Sequence, residues 1–372
     1  MKFLFIVQGE GRGHMTQAIS FSQLLSTQGH ELVAVIVGKS KRREIPSFFE
    51  REIKAPISLV DSPNFECDAS QKKINLTKTI WKNSLKVGSY QKSLNRIHHI
   101  VTETQPDIIL NFYDLLGGLY NFWFRPKAQF WVIGHQYMIW HPDFRFAPNR
   151  ALEKILFQLN TKLTGLGADE VLGLSFLPQK KSTPKVQVVP PLLRREVKNL
   201  DSSNGDYFLT YMVNPGYAEE VFQFAKANPQ LRIKAYWDKK DAAECEFPLP
   251  NLSFHRVNDR TFLADMAACR GLVCTAGFES VCEAMYLGKP VMVIPVAGQY
   301  EQACNALEIE QNGIGIPSKS FDFGWFESQI SEWESQKLNF QIWQLTWGNI
   351  LQGLLQPEEY FSQNQSPSLE LG

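Results

Sequence analysis

Short apolar runs alternate with amphipathic segments through the first half of the chain. The runs are rich in β-branched and aromatic side chains, which is typical of buried strands. They are Phe3–Gln8, Glu31–Val37, Ile57–Val60, Asp107–Asn111, Gln129–Ile133, Val171–Leu174 and Val186–Val189. Helical periodicity lies between several of them, as in Thr16–Gln28 and residues 74–104. This alternation predicts a parallel, doubly wound sheet.

The same pattern restarts after a boundary at Pro190-Pro191 and a polar loop over residues 200–206. The second series has three strand-like runs, two helical segments and a strand–helix–strand unit. They are Tyr207–Val213, Leu231–Tyr236 and Leu252–Phe254, then Gly216–Asn228 and Phe262–Cys269, then residues 272–306. We therefore predict an α/β fold with two tandem Rossmann-like domains, residues 1–192 and 193–339, and a cleft between them.

Aromatic and aliphatic side chains recur every three or four residues near the C terminus. They are Phe340, Trp343, Trp347, Ile350, Leu351 and Leu354. This spacing predicts an amphipathic helix over residues 340–356 that packs across the domains. Residues 357–372 are rich in Pro, Ser, Gln and Glu, which predicts a disordered tail.

Composition narrows the class of protein. A chain of 372 residues with 44% apolar residues is long enough for two folded domains. No apolar run approaches the ~20 residues of a membrane-spanning helix. The opening Lys2–Val7 reads as a first strand rather than a signal peptide, because polar residues follow it at once. The six cysteines form no C-x-x-C pair, so we expect reduced thiols and a cytoplasmic protein.

The net charge of zero conceals an asymmetry between the halves. Residues 1–200 hold 27 Lys and Arg against 16 Asp and Glu, and residues 201–372 hold 11 against 22. The basic half would attract an anionic acceptor or an anionic membrane surface. Alternatively, the two halves attract each other across the cleft. Nothing in this balance indicates a nucleic-acid partner.

A glycine-rich loop follows the first strand and opens the first helix. It contains Gly11, Arg12, Gly13 and His14, and its glycines leave room for a ligand against helix amides. An NAD site would need an acid at the end of the second strand, where residues 39–43 are basic instead. Those bases would suit NADP, so a reductase is an alternative interpretation.

Residues 272–306 contain the most informative motif. Gly277 is followed by Glu283 six residues later, then by Gly288 and Pro290, and the next strand opens into a polar loop. The order and spacing resemble MurG-like and UDP-glucuronosyl or glucosyltransferase enzymes, which have the two-domain GT-B fold. The sequence G-x-G-x-G-H that ends at His14 is similar to the first loop of the same families.

The resemblance implies a role for each matching position. His14 would be the base for an acceptor hydroxyl, with Asp114 as its acidic partner. Helix amides at the glycine turn would hold a diphosphate, Glu283 the ribose, and the polar loop the donor sugar. The donor contacts implied are Gly216, Val257, Gly277, Phe278, Glu279, Ser280, Glu283, Gln299, Glu301 and Gln302. Here the phosphate loop of these families is reduced to Gly216 alone.

The chain contains no D-x-D sequence, the pair that metal-dependent transferases use, so we expect neither a metal nor another cofactor. A basic amphipathic stretch over residues 70–100 and an aromatic stretch over residues 122–146 would suit an acceptor pocket or a membrane surface. An ordinary solvated helix and core packing are the alternatives.

Together these features predict a metal-independent, inverting glycosyltransferase. It would move a sugar from a nucleotide diphosphate donor, most simply a UDP-sugar, to a hydroxyl of a small molecule, glycan or lipid-linked acceptor. It would work in the cytoplasm or at the inner face of the plasma membrane. A UDP-sugar 2-epimerase and a non-catalytic sugar-nucleotide-binding protein are alternatives with the same fold.

Overall fold

The computed structural model describes residues 1–39, 45–63, 87–212, 215–237 and 243–356. Within these ranges, fourteen strands form two sheets of seven. The first sheet contains β1 Lys2–Gln8, β2 Glu31–Lys39, β3 Ile57–Asp61, β4 Ile108–Phe112, β5 Gln129–Gly134, β6 Glu170–Leu174 and β7 Gln187–Val189. The second contains β8 Tyr207–Met212, β9 Arg232–Trp237, β10 Cys245–Leu249, β11 Leu252–Arg256, β12 Gly271–Thr275, β13 Val291–Ile294 and β14 Ile316–Pro317.

Helices and short 3-10 turns connect the strands. The helices are α1 Arg12–Thr27, α2 Ser47–Glu52, α3 Val87–Thr104, α4 Leu115–Phe124, α5 Ala151–Thr164, α6 Arg195–Lys198, α7 Ala218–Ala227, α8 Asp259–Ala268, α9 Phe278–Leu287, α10 Tyr300–Gln311, α11 Phe323–Gln329, α12 Lys337–Leu345 and α13 Trp347–Leu355. The 3-10 turns are His135–Trp140, Pro215–Tyr217 and Ile330–Glu332.

Both sheets are wound in two directions from a central strand. The first has the order β3-β2-β1-β4-β5-β6-β7, with all neighbours parallel. The second has the order β10-β11-β9-β8-β12-β13-β14, parallel except for the β10–β11 pair at its edge. The predicted pair of Rossmann-like sheets is confirmed.

Burial on both faces explains why the strands read as continuous apolar runs. In β1, Phe3 and Phe5 pack into one core cluster, whereas Leu4 and Ile6 pack into another on the opposite face. All four side chains are fully buried. Helices must therefore cover both faces of the sheet, as they do in parallel α/β domains.

The C-terminal segment contacts the first domain. Residues 340–356 comprise most of α12 and all of α13, so two short helices stand where a single one was expected. Trp347 packs edge-on against Phe21 of α1, with ring centroids 5.8 Å apart. Its indole nitrogen donates to the carbonyl of Pro191 at 3.1 Å. The chain thus returns to the domain where it began.

Several expectations fall on parts of the chain outside the described residues. They concern the tail over residues 357–372, the basic run after β2, and most of the basic stretch over residues 70–100. In the described residues no helix is both long enough and apolar enough to span a bilayer. The five cysteines among the described residues are free thiols.

Candidate active site

A cavity of about 480 Å³ lies between the two domains. The loop after β1, the start of α1 and part of α5 form one wall, and the starts of α9 and α10 form the other. Because the carboxyl ends of parallel strands lie at one edge of a sheet, the loops that follow them converge there. The volume is within the usual range of small-molecule sites.

The cavity brings together most of the predicted site residues. From the first domain it is lined by Gly11, Arg12, Gly13 and His14, and from the second by Val257, Gly277, Phe278, Glu279, Ser280, Glu283, Gln299, Glu301 and Gln302. Asp114 and Gly216 do not line it. Segments separated by more than 250 residues in sequence therefore meet around one space.

His14 lies in the first turn of α1 with a partly buried side chain. Burial lowers its pKa to about 4, although a hydrogen bond with Gln17 acts in the opposite direction. Its Nδ1 lies 3.3 Å from Gln17 Oε1. The imidazole is therefore neutral at physiological pH, which is the state that can accept a proton.

The ring of Tyr113 stacks against His14, with centroids 5.7 Å apart and planes 22° from parallel. Its hydroxyl lies 2.7 Å from Thr161 Oγ1 of α5. Tyr113 has a φ of 60°, a conformation that is uncommon for a residue with a bulky side chain. The strained turn at the end of β4 aims the ring at His14, which is a known pattern at functional sites.

Asp114 does not occupy the position expected of a partner for His14. It is fully buried and caps α4, accepting from the Leu116 backbone at 2.8 Å and from Ser62 Oγ at 3.0 Å. Burial raises its pKa to about 6. Since His14 Nδ1 faces Gln17 instead, the predicted pairing is corrected. An Asp directly before a helix is a common N-cap, and this role explains its position.

The N-terminus of α9 faces the cavity. Gly277 is its N-cap in an extended conformation, and Phe278 and Ser280 follow in the first turn. The first amides of a helix lack intrahelical acceptors and carry the positive end of the helix dipole. Phe278 stacks on His135 of the first domain at 4.2 Å. The amides form a natural site for an anion such as a diphosphate.

Glu279 points across the cleft toward α1. Its carboxylate accepts a hydrogen bond from Gln17 Nε2. A side chain at Gly13 would bring a Cβ to 2.5 Å from Glu279 Oε2, so a larger residue there would displace the carboxyl group from this position. Burial raises the pKa of Glu279 to about 7.

Glu283 is engaged by an arginine from the segment between the domains. Its side chain is 2% exposed, and Arg194 Nε and Nη2 lie 2.8 and 2.6 Å from its Oε1. Burial raises the pKa of Glu283, while Arg194 acts to lower it. Arg194 itself lines the cavity. The acid expected to meet a ribose thus has a charged protein partner already.

The polar loop expected over residues 299–302 is mostly the first turn of α10, and two side chains there have internal partners. Glu301 Oε1 accepts from Gln136 Nε2 of the first domain at 2.9 Å. Gln302 Oε1 accepts from the backbone of Val296 at 2.9 Å, which holds the loop in shape. Gln299 is the N-cap of α10 and makes no side-chain capping bond.

Two predicted donor contacts, Val257 and Gly216, offer less to a donor than the sequence suggested. The N–H of Val257 donates to the Trp237 carbonyl at 3.2 Å, so its carbonyl is the backbone group left for a nucleotide base. Gly216 is exposed in the short 3-10 turn Pro215–Tyr217 and does not line the cavity. A contact from this glycine to a diphosphate in the cavity is not supported by its position.

Among the cavity residues that sequence reasoning missed, four contact predicted site residues: Gln17, Tyr113, Gln136 and Arg194. Gln17 is one turn after His14, the spacing at which helix side chains meet, so this signal was available. Tyr113 and Gln136 directly follow strands that point to the cavity, which is a usable signal as well. Arg194 has none, since it follows a Pro-rich boundary with no motif.

A protein-family model described as glycosyl transferase family 1 matches residues 1–329. The chain belongs to this family. It is 21% identical over 336 residues to an uncharacterized glycosyltransferase of Methanosarcina acetivorans, covering 85% of both proteins. As a member of glycosyl transferase family 1 it is a glycosyltransferase, and the expected enzyme class is confirmed.

Solved glycosyltransferases share the GT-B fold of this family 1 protein. The glycotransferase of kitacinnamycin aligns over 98% of this chain and 99% of its own, with a TM-score of 0.58 and 14% identity. UGT2 of Phytolacca americana, complexed with UDP-2fluoro-glucose and pterostilbene, aligns over 97% of each chain with a TM-score of 0.58 and 11% identity. At such low identity these likenesses establish the fold alone.

Proposed function

We propose that this glycosyltransferase moves a sugar from a nucleotide diphosphate donor, in the first instance a UDP-sugar, to an acceptor hydroxyl with inversion. One observation carries the proposal: a neutral imidazole at His14 and the amide end of α9 face the same cavity from opposite domains. UDP is the first nucleotide to test because the Phytolacca americana protein is complexed with a UDP-sugar, and TDP is the second because the spinosyn rhamnosyltransferase SpnG is complexed with thymidine diphosphate.

The reaction is a single displacement. The acceptor hydroxyl gives its proton to His14 and its oxygen attacks the anomeric carbon. The bond from that carbon to the diphosphate oxygen breaks, and the electron pair leaves with the diphosphate. Amides at Phe278 and Ser280 stabilise the charge that develops there, whereas the Gly277 N–H donates to the Thr275 carbonyl. Attack from the face opposite the leaving group inverts the anomeric centre.

Donor recognition is assigned to the second domain. Gln299, Glu301 and Gln302 offer both donors and acceptors, which sugar hydroxyls require. The Val257 carbonyl faces the nucleotide base. Burial reduces the charge of Glu279 near neutral pH, which lessens its repulsion of an anionic donor. We propose that no metal or other cofactor takes part, because the chain lacks a D-x-D sequence.

The acceptor is proposed to enter beside α5, at the inner face of the plasma membrane. Leu156 and Phe157 of this helix line the cavity, while Leu152, Ile155 and Leu159 are exposed by 50 to 63%. The neighbouring α4 exposes Phe122 and Trp123 by 53 and 65%. Apolar side chains of this kind would insert into a lipid surface while the cavity receives a lipid-linked hydroxyl. Cosedimentation with phosphatidylglycerol vesicles, compared with phosphatidylcholine vesicles, tests this part.

A two-stage experiment tests the reaction. Thermal unfolding is first measured with UDP, TDP, GDP and their sugars, since a ligand that binds only the folded state raises Tm. Transfer is then measured with the stabilising donor and a panel of hydroxyl acceptors. His14→Ala should lower kcat by at least about 100-fold, the usual scale of a lost general base.

The matched control is His99→Ala. His99 lies on α3, its side chain is 62% exposed, and it does not line the cavity. The control should retain wild-type activity. Full activity of His14→Ala on an identified substrate pair would refute the base assignment. Stabilisation by no nucleotide would refute the donor assignment.

Family membership bears on the alternatives. It supports transfer rather than 2-epimerisation or binding without catalysis. Incubation with UDP-N-acetylglucosamine alone separates the first two, because an epimerase changes that sugar without an acceptor.

A further inference from the structure

A chain of hydrogen bonds joins the donor side of the cavity to His14. Gln17 lies one turn after His14 on α1, and its side chain is 2% exposed. Its Oε1 lies 3.3 Å from His14 Nδ1, and its Nε2 donates to Glu279 Oε1. One buried amide therefore connects the imidazole of the first domain with a carboxyl group of the second.

The order of donors and acceptors in this chain selects one imidazole tautomer. Whenever Glu279 is ionised, its oxygens only accept hydrogen bonds, so the NH2 group of Gln17 must then face Glu279. The carbonyl of Gln17 then faces His14, and only a protonated Nδ1 can donate to it. Nε2 is left with the free lone pair. This is the nitrogen that can take a proton from an acceptor hydroxyl.

The surroundings hold the same arrangement in place. Tyr113 stacks on His14 and limits rotation of its ring. Gly13 lets the Glu279 carboxyl group reach α1, because a Cβ there would lie 2.5 Å from Glu279 Oε2. Asp114 accepts from the Leu116 backbone and from Ser62 through Oδ1, and the Nδ1 of His14 faces Gln17 instead.

We propose that Gln17 positions the His14 base and that Glu279 of the second domain holds Gln17 in the required orientation. This inference rests on the proposed role of His14 in sugar transfer. Because the chain of hydrogen bonds has one end in each domain, His14 has its working tautomer only while the domains are closed on each other. Base orientation is thereby coupled to the domain that binds the donor.

The tautomer can be measured without any substrate. Long-range 1H–15N NMR of protein labelled at histidine distinguishes a protonated Nδ1 from a protonated Nε2, and His14→Gln identifies the signal. Measurements at pH 8.5 keep Glu279 ionised, since its pKa is about 7. Wild type should show a protonated Nδ1. In Gln17→Leu the tautomer ratio should shift toward a protonated Nε2 by about fivefold, the equivalent of one neutral hydrogen bond.

The matched control is Gln23→Leu, the same substitution two turns further along α1, with no change expected. An exchange of the two side chains gives a sharper test that preserves volume. Gln17→Glu alone sets two carboxylates against each other and should disturb the His14 signal. Adding Glu279→Gln restores a donor facing position 17 and an acceptor facing Nδ1, so the wild-type tautomer should return.

Two results would overturn the proposal: an unchanged tautomer in Gln17→Leu, or no rescue in the double variant. The double variant keeps the test decisive even where Gln17→Leu folds poorly. Once a substrate pair is known, Gln17→Leu should lower kcat about fivefold with donor KM unchanged. If the tautomer follows Gln17 but no variant transfers sugar, the positioning stands and the proposed reaction fails. If His14→Ala abolishes transfer while the tautomer does not change in Gln17→Leu, the proposed reaction stands and the positioning role of Gln17 fails.

Discussion

Replacing Arg194 should lower the free energy of unfolding, because Glu283 would then be buried without a charged partner. The carboxyl group is 2% exposed and the arginine contacts it through two nitrogens, at 2.8 and 2.6 Å. Breaking a buried pair by removing one partner typically costs about 3 to 5 kcal/mol, because a charge stays behind without compensation. Against a total stability of about 5 to 15 kcal/mol, Arg194→Met should therefore remove a large share.

The loss should grow with pH. Burial already raises the pKa of Glu283 and Arg194 opposes this, so the pKa rises further in Arg194→Met. A group whose pKa is raised in the folded state contributes stability below its unfolded pKa, and this is lost as pH rises through the folded pKa. The variant should be little affected at pH 5. Its deficit should then increase by about 1.4 kcal/mol per pH unit until the carboxyl group is ionised.

Urea unfolding followed by tryptophan fluorescence at pH 5, 6.5 and 8 measures this difference. Arg195→Met is the matched control, because the neighbouring arginine is exposed and should cost little. Arg194→Met with Glu283→Gln removes the charge as well and should recover most of the stability at pH 8. A deficit that is independent of pH, or no recovery in the double variant, would show that the arginine acts through packing rather than charge.

Three further outcomes are expected. Gly38→Ala should destabilise the folded protein by about 1 to 3 kcal/mol, because the added Cβ would lie 1.9 Å from Asp114 Oδ2. The control is Gly88→Ala, which has open space around it and should not lower stability, and thermal unfolding compares the two variants. As pH falls from 7 to 4, His14→Gln should become more stable than wild type by up to about 3 kcal/mol. The reason is that His14 stays neutral in the folded protein down to its pKa of about 4, whereas in the unfolded chain it is protonated near pH 6.5. Urea unfolding across this range measures the difference, and parallel stability curves for the two proteins would contradict the prediction. Transfer activity should be unchanged by EDTA, and a loss restored by Mg²⁺ or Mn²⁺ would refute metal independence.

The sequence was sufficient to predict the two sheets because buried parallel strands are apolar along their whole length. Edge elements were harder. The strands Cys245–Leu249 and Ile316–Pro317 and the helix Ser47–Glu52 were missed, since short or exposed elements carry little periodicity. The single helix expected near the C terminus is divided at Thr346, although the apolar spacing continues through it.

Site residues were predictable where a motif follows a strand directly. His14 and Gly277 are such positions, because strand ends of both sheets point to the cleft. Partners were not predictable in the same way. Arg194 lies 89 residues from Glu283, and nothing in the spacing indicates that they meet. Asp114 shows the opposite error, since an acid near a strand end was assigned to chemistry although its position before a helix favours capping.

The charge asymmetry between the halves of the chain now has a structural counterpart. Acids of the second domain meet polar or basic groups of the first domain, or of the segment between the domains, along the cleft. The pairs are Gln17 with Glu279, Arg194 with Glu283, Gln136 with Glu301, His135 with Glu308 and Arg51 with Asp259. Two of these pairs, Arg51 with Asp259 and Arg194 with Glu283, join a base of the basic half to an acid of the acidic half, which is the attraction that the charge balance suggested.

These pairs differ in how readily a donor could replace the protein partner. The Gln136 amide gives Glu301 one hydrogen bond from an uncharged donor, and a sugar hydroxyl is an uncharged donor that can replace it. Arg194 gives Glu283 a full charge within a buried pair, which a ribose hydroxyl cannot match. We therefore infer that Glu301 is the acid open to the donor. We propose that Glu283 acts through Arg194, which lines the cavity and would present a positive charge to an anionic donor.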